Sequence, residues 1–216
     1  MEPLAIVFAA AGAAWGFVAD RISARWPAHE EGYVTRRFDW RTVVVVAFGL
    51  IALAAVPIRF EGAAERVLFA SFFAACVLMM ATDLDQRVLP NELTFPLIAV
   101  GLVVLPWGGN TLVNRQPLWL PIAVAVILPL VLFGLSRPFG EGAFGEGDVK
   151  FLLGAGLLLG AVRMVLAVFV GVLLGGVVIG ALLVTRRIGL KTFVPYGPFL
   201  ILGVVWAALL PSAAGS

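Results

Sequence analysis

The chain has 216 residues, 62% of them hydrophobic and 13% charged, with a mean hydropathy of +1.05. Soluble domains carry about 25% charged residues, and a chain of this size could not cover so much apolar surface, so the composition excludes a water-soluble globular protein. The net charge of +2 says little as an average; where the charges sit says more.

A helix needs about 20 apolar residues to cross a bilayer. Apolar runs predict eight spans, at 3–20, 42–58, 65–84, 94–109, 117–135, 149–161, 163–184 and 196–211. The expected fold class is all-α: a polytopic membrane protein with about eight transmembrane helices, in one membrane-embedded domain over 1–216. The first run is read as an uncleaved span, because "MEP" carries no positive charge and the basic residues follow the run. The stretch 149–184 is too long for one span. Arg163 is the one charge between Lys150 and Arg186, so a tight turn is expected near it.

Charge placement orients these spans. With the first residue outside, the cytoplasmic segments hold Arg21, Arg25, Arg36, Arg37, Arg41, Arg87, Arg137, Lys150, Arg186, Arg187 and Lys191. The outer segments hold only Arg59, Arg66, Arg115 and Arg163. Both termini are therefore expected outside.

Three of the acids stand apart. Asp83 and Asp85 close the third apolar run in "VLMMATDLDQRVLPNELTFP", where Pro90 and Asn91 turn the chain into the fourth. Asp148 opens the sixth run in "AFGEGDVKF". The predicted topology brings both stretches to the cytoplasmic face. Two neighbouring carboxylates share a proton, so one can draw a proton from water while the other polarises a carbonyl. Gly145 and Gly147, lacking a Cβ, let the backbone before Asp148 bend and approach a peptide closely. The competing reading is structural: acids at helix starts commonly cap them, and acids at membrane edges are commonly solvated.

Other features point away from alternative chemistries. "GEGAFG" at 140–145 matches a nucleotide-loop pattern. It follows an apolar span where a strand is required, and Glu141 and Glu146 would repel phosphate. "FGEG" occurs at 139–142 and again at 144–147, a local duplication lengthening a loop. The single cysteine, Cys76, and the single histidine, His29, make neither a disulfide nor a metal cluster.

Four stretches together resemble the prepilin peptidases, or type 4 leader peptidases, polytopic aspartyl proteases of the GxGD class. "TDLDQRVLPNELTFP" is similar to the family's first catalytic stretch, with Pro90 seven residues after Asp83. "GEGDVKF" is similar to its G-x-G-D-x-K motif, formed here by Gly145, Gly147, Asp148 and Lys150. "VPYGPFLILG" at 194–203 resembles the run before the family's last span. "GFVADRISARWP" at 16–27 resembles its N-terminal stretch, with Gly16, Arg25 and Pro27 in register.

The resemblance implies Asp83 and Asp148 as catalytic acids, supported by Gly145, Gly147, Lys150, Pro90 and Asn91. It implies substrates that are type IV prepilins or pseudopilins with short basic leaders, which Glu141 and Glu146 could attract. It places the enzyme in the bacterial inner membrane, multi-pass, in contact with the lipid bilayer and with its active site facing the cytoplasm. No nucleic-acid partner is expected.

Many members also methylate the new N-terminus with S-adenosylmethionine, and many hold zinc through two C-x-x-C pairs in their first cytoplasmic loop. Here that loop, 21–41, is short and has no cysteine, so no zinc or other metal is expected. Its charged residues Glu30, Glu31, Arg36, Arg37 and Asp39 could still receive a charged cofactor. The alternatives to a peptidase are a proton-coupled transporter using the two acids as a relay, and a non-catalytic membrane scaffold.

Overall fold

The computed structural model describes residues 3–27, 37–107, 116–137, 144–189 and 194–211. Among these residues the chain is helical throughout, with eight α-helices and a short 3-10 turn. They are α1 (Pro3–Ser23), α2 (Trp40–Arg59), α3 (Ala63–Gln86), α4 (Asn91–Val104, continued by the 3-10 turn Leu105–Trp107), α5 (Trp119–Ser136), α6 (Glu146–Leu159), α7 (Ala161–Val184) and α8 (Gly197–Leu209). Each corresponds to one of the eight apolar runs. Five of them, α1, α2, α3, α5 and α7, are long and apolar enough to cross a membrane, and α4 and α8 are shorter apolar helices. The protein is a polytopic helical membrane protein.

The described residues fall into two compact units, one within 3–93 and one within 94–211. In the first, α1 and α2 run antiparallel at very close range. A Cβ on Gly12 would clash with the Gly49 carbonyl, and one on Gly49 with the carbonyl of Gly12. Apolar burial gives little drive between helices in lipid, so small residues that let backbones touch supply the packing.

The most enclosed helix of the first unit is α3, with 61% of its apolar stretch buried against 28% for α1 and 44% for α2. Near its N-terminal end Phe60 stacks on Phe69, with ring centroids 4.0 Å apart and planes within 2°, and Phe72 and Phe73 close round them. Its other end stops at Arg87, in the left-handed region (φ 58°), whose N–H donates to the Asp83 carbonyl at 2.9 Å.

In the second unit, α6 packs by its small residues. A Cβ on Gly154 would meet the Leu97 side chain of α4 at 2.7 Å, and one on Gly156 would meet Ala125 of α5 at 2.8 Å. The turn expected at Arg163 lies at Gly160 instead, where φ is +78° and any other residue would be strained. Gln116 closes that turn by accepting the Ala161 N–H at 3.0 Å.

Arg163 therefore belongs to α7, and it is buried. Its guanidinium donates to the carbonyls of Ala207, Leu210 and Pro211 at 2.6, 2.8 and 3.1 Å. These lie at the C-terminal end of α8, where carbonyls lack helical partners and carry the negative end of the helix dipole. The sequence reading set Arg163 at the outer edge of the seventh run; three carbonyl partners hold it in the first turn of α7.

Candidate active site

The last turn of α3 carries Asp83, Asp85 and Gln86, and each faces a different environment. Asp83 is 6% exposed. Asp85 receives the Arg41 guanidinium at 2.8 Å, with its side chain only 7% exposed. Gln86 donates to the carbonyls of Ser23 and Pro27 at 2.6 and 3.0 Å, tying this turn to the end of α1. A helix end that would fray by itself is thus held by α1 on one side and α2 on the other.

The start of α2 is built for the same purpose. Asp39, one of the loop acids considered for cofactor binding, is its N-cap and accepts the N–H groups of Arg41 and Thr42 at 2.9 and 3.3 Å. Thr42 in turn donates through Oγ1 to Asp20 at 2.8 Å. Asp20 is wholly buried in α1. Nothing in the linear sequence distinguished this acid from an ordinary interfacial one. Arg37 is exposed, and Glu30, Glu31 and Arg36 lie outside the described residues.

Asp148 stands in the first turn of α6, ahead of the apolar stretch 149–161. The chain enters through Gly145, the N-cap, whose N–H donates to Asp148 Oδ2 at 2.9 Å. The structural reading of this acid is thus correct as far as it goes: Asp148 does close the helix start. The same bond fixes the direction of its carboxylate. Asp148 is part-buried, and loss of water raises its carboxyl from the ordinary 3.8 to about 6, with the Gly145 N–H working against that rise. Such a carboxyl changes protonation state within the range where acid–base catalysts operate.

Lys150 lies two residues on, in the same helix. It meets Glu146 at 3.6 Å one turn earlier, and its ammonium lies 5.5 Å from the centre of the Phe95 ring of α4. Glu146 is 83% exposed at its side chain, so this ion pair is a solvated one and worth little energetically. Gly147 sits part-buried between them. Glu141 lies outside the described residues.

Pro90 is buried, and its carbonyl accepts the Leu93 N–H at 3.1 Å as Asn91 opens α4. Thr94, on the next turn, was not singled out from the sequence. Its hydroxyl is wholly buried with no hydrogen-bond partner, an arrangement costly enough to call for a water or ligand group. Among the described residues no cluster of three or more His, Cys, Asp or Glu side chains is placed to hold a metal ion.

The sequence of the type IV leader peptidase family aligns with residues 70–180, just over half of the chain, and that stretch contains both Asp83 and Asp148. A multi-pass helical protein bearing a buried acid at one helix end and a part-buried one at another is the class that the fold and these residues define. The chain belongs to the type IV leader peptidase family.

Curated relatives agree. A prepilin leader peptidase/N-methyltransferase of Aeromonas salmonicida is 32% identical over 135 residues, covering 59% of this chain and 43% of that protein. One from Burkholderia pseudomallei is 30% identical over 162 residues, covering 74% and 52%. One from Bacillus subtilis is 23% identical over 159 residues, covering 72% and 60%. The chain thus spans about half the length of the curated relatives it matches. No solved structure matches it.

Proposed function

We propose that this protein is an aspartic endopeptidase that removes the basic leader from type IV prepilins or pseudopilins at the cytoplasmic face of the bacterial inner membrane, with Asp83 and Asp148 as its catalytic acids. The observation that carries the reading is the family match across 70–180, which takes in both acids and the motif around the second. Peptide hydrolysis of this kind asks one carboxylate to take a proton from water while the other, protonated, polarises the scissile carbonyl. It needs no metal.

In this reading Gly145 and Gly147 keep the approach to Asp148 open to a peptide backbone, and Lys150, Pro90 and Asn91 support the two acid-bearing helix ends. Glu141 and Glu146 draw the basic leader to the site. Both compact units serve as a single peptidase domain over 1–216. Incubation of the purified protein with a prepilin, followed by mass spectrometry, tests this. Release of the leader by the parent protein and its loss in both Asp83→Asn and Asp148→Asn support it. Cleavage by either variant at the parent rate rules the assignment out.

The relatives' names join the peptidase to an N-methyltransferase. For this chain we propose that second activity, with S-adenosylmethionine as methyl donor and the charged residues of the short segment 21–41 receiving it without zinc. Precleaved pilin should gain one methyl mass when incubated with the cofactor, in the parent protein and in Asp83→Asn alike. A mature N-terminus that stays unmethylated would leave the protein a peptidase only.

A further inference from the structure

Phe17, Val18, Arg21, Ile22, Arg25 and Trp26 line a hollow of about 370 Å³ on the first unit, at the C-terminal end of α1. The spacing places them on one face. Past the helix end, the N–H groups of Arg25 and Trp26 both bond the Ile22 carbonyl at 2.8 Å, so the chain completes another turn and keeps that face continuous. Phe17 and Val18, at 46% and 44% exposure, face outward from a helix long and apolar enough to span a bilayer. Arg25 is exposed, and the Arg21 guanidinium lies 4.7 Å from the centre of the Phe17 ring.

We propose that this hollow binds the headgroup of an anionic phospholipid, the two arginines holding its phosphate and Phe17, Val18 and Ile22 its upper acyl chain. Guanidinium groups match phosphate oxygens in pairs, and a planar group already stacked on a ring loses little freedom on binding. A hollow of this size suits a headgroup. Charge decides among occupants: a basic peptide would be repelled by Arg21 and Arg25, and a free phosphate would gain nothing from the apolar wall. Trp26 supplies the amphipathic ring that favours the level of lipid headgroups. The inference does not depend on the peptidase assignment.

Native mass spectrometry of the detergent-purified protein, titrated with phosphatidylglycerol or phosphatidylcholine, tests the site. Phosphatidylglycerol should be retained in preference, and the preference should fall about thirtyfold in R21Q/R25Q and about fivefold in Arg25→Gln alone. The single variant lies at an exposed position and serves if the double variant does not fold. R21K/R25K, which keeps both charges but not the paired planar donors, should retain only part of the preference. Undiminished retention in R21Q/R25Q and Arg25→Gln overturns the proposal. So does equal competition by glycerol 1-phosphate, which would make this a free-anion site, or occupation of the face by a second copy of the chain.

Discussion

Asp148 combines two roles that usually compete. As the partner of the Gly145 N–H it stabilises a helix start; as a part-buried carboxyl it works against the folded state once it ionises. Its value of about 6 in the folded protein exceeds the ordinary 3.8, so the folded chain holds the proton more tightly than the unfolded one. The stability it contributes is fully present below about pH 4, falls as pH rises towards 6 and is flat above that. Asn keeps an oxygen for the Gly145 N–H and carries no charge. Asp148→Asn should therefore unfold later than the parent at pH 7.5, by up to about 3 kcal/mol, and the gap should vanish at pH 4. A variant less stable than the parent at pH 7.5 would contradict the burial argument. Under the proposed mechanism peptidase activity should fall in the opposite direction, by about a hundredfold or more, because Asp148 is its proton carrier there. Gain of stability with loss of activity in one substitution is a signature that a simple cap does not produce.

Helix ends show the same logic on a larger scale. The last turn of α3 depends on Arg41, and the two members of its ion pair are unequally enclosed: Asp85 is 7% exposed at its side chain and Arg41 33%. Arg41→Ala leaves an enclosed carboxylate without its guanidinium and should cost about 3 kcal/mol. Asp85→Asn leaves a guanidinium that can reach water and should cost about 1 kcal/mol. Thermal unfolding of the two variants and of the double variant, which should fall nearer Asp85→Asn, checks the asymmetry. In the second unit, Arg163 holds three carbonyls of α8's terminus, and Arg163→Met should lower stability by about 2–4 kcal/mol. Arg163→Lys should recover only part of this, because an ammonium cannot spread its donors over three carbonyls as a planar guanidinium does. Equal stability of the Met and Lys variants would mean that the charge, and not the fork of donors, is immaterial there.

For the whole molecule the testable quantity is which face each helix end occupies. Eleven basic residues in the predicted inner segments against four in the outer ones predict the Arg87 end of α3 inside and its Glu61 end outside. In a Cys76→Ala background, cysteine at Arg87 should react with a membrane-impermeant thiol reagent only from the cytoplasmic side, and cysteine at Glu61 only from the outside. Both positions are exposed and flank a single span, so labelling from one side would break the topology. The eight helices themselves were legible in the sequence, because a bilayer demands long apolar runs and each run is a local property. Asp83 and Asp148 were legible for the same reason: a carboxylate beside an apolar run is conspicuous. What sequence alone could not separate was Asp83 from Asp85 by environment, since the distinction rests on Arg41, forty-four residues away. Nor could it bury Asp20 or find the carbonyls that hold Arg163. Charges near apolar runs look alike until the carbonyls, hydroxyls and guanidinium groups that satisfy them are brought in from other helices. Hydropathy counts what each residue would lose on leaving water; only the tertiary structure supplies the partner that offsets the loss.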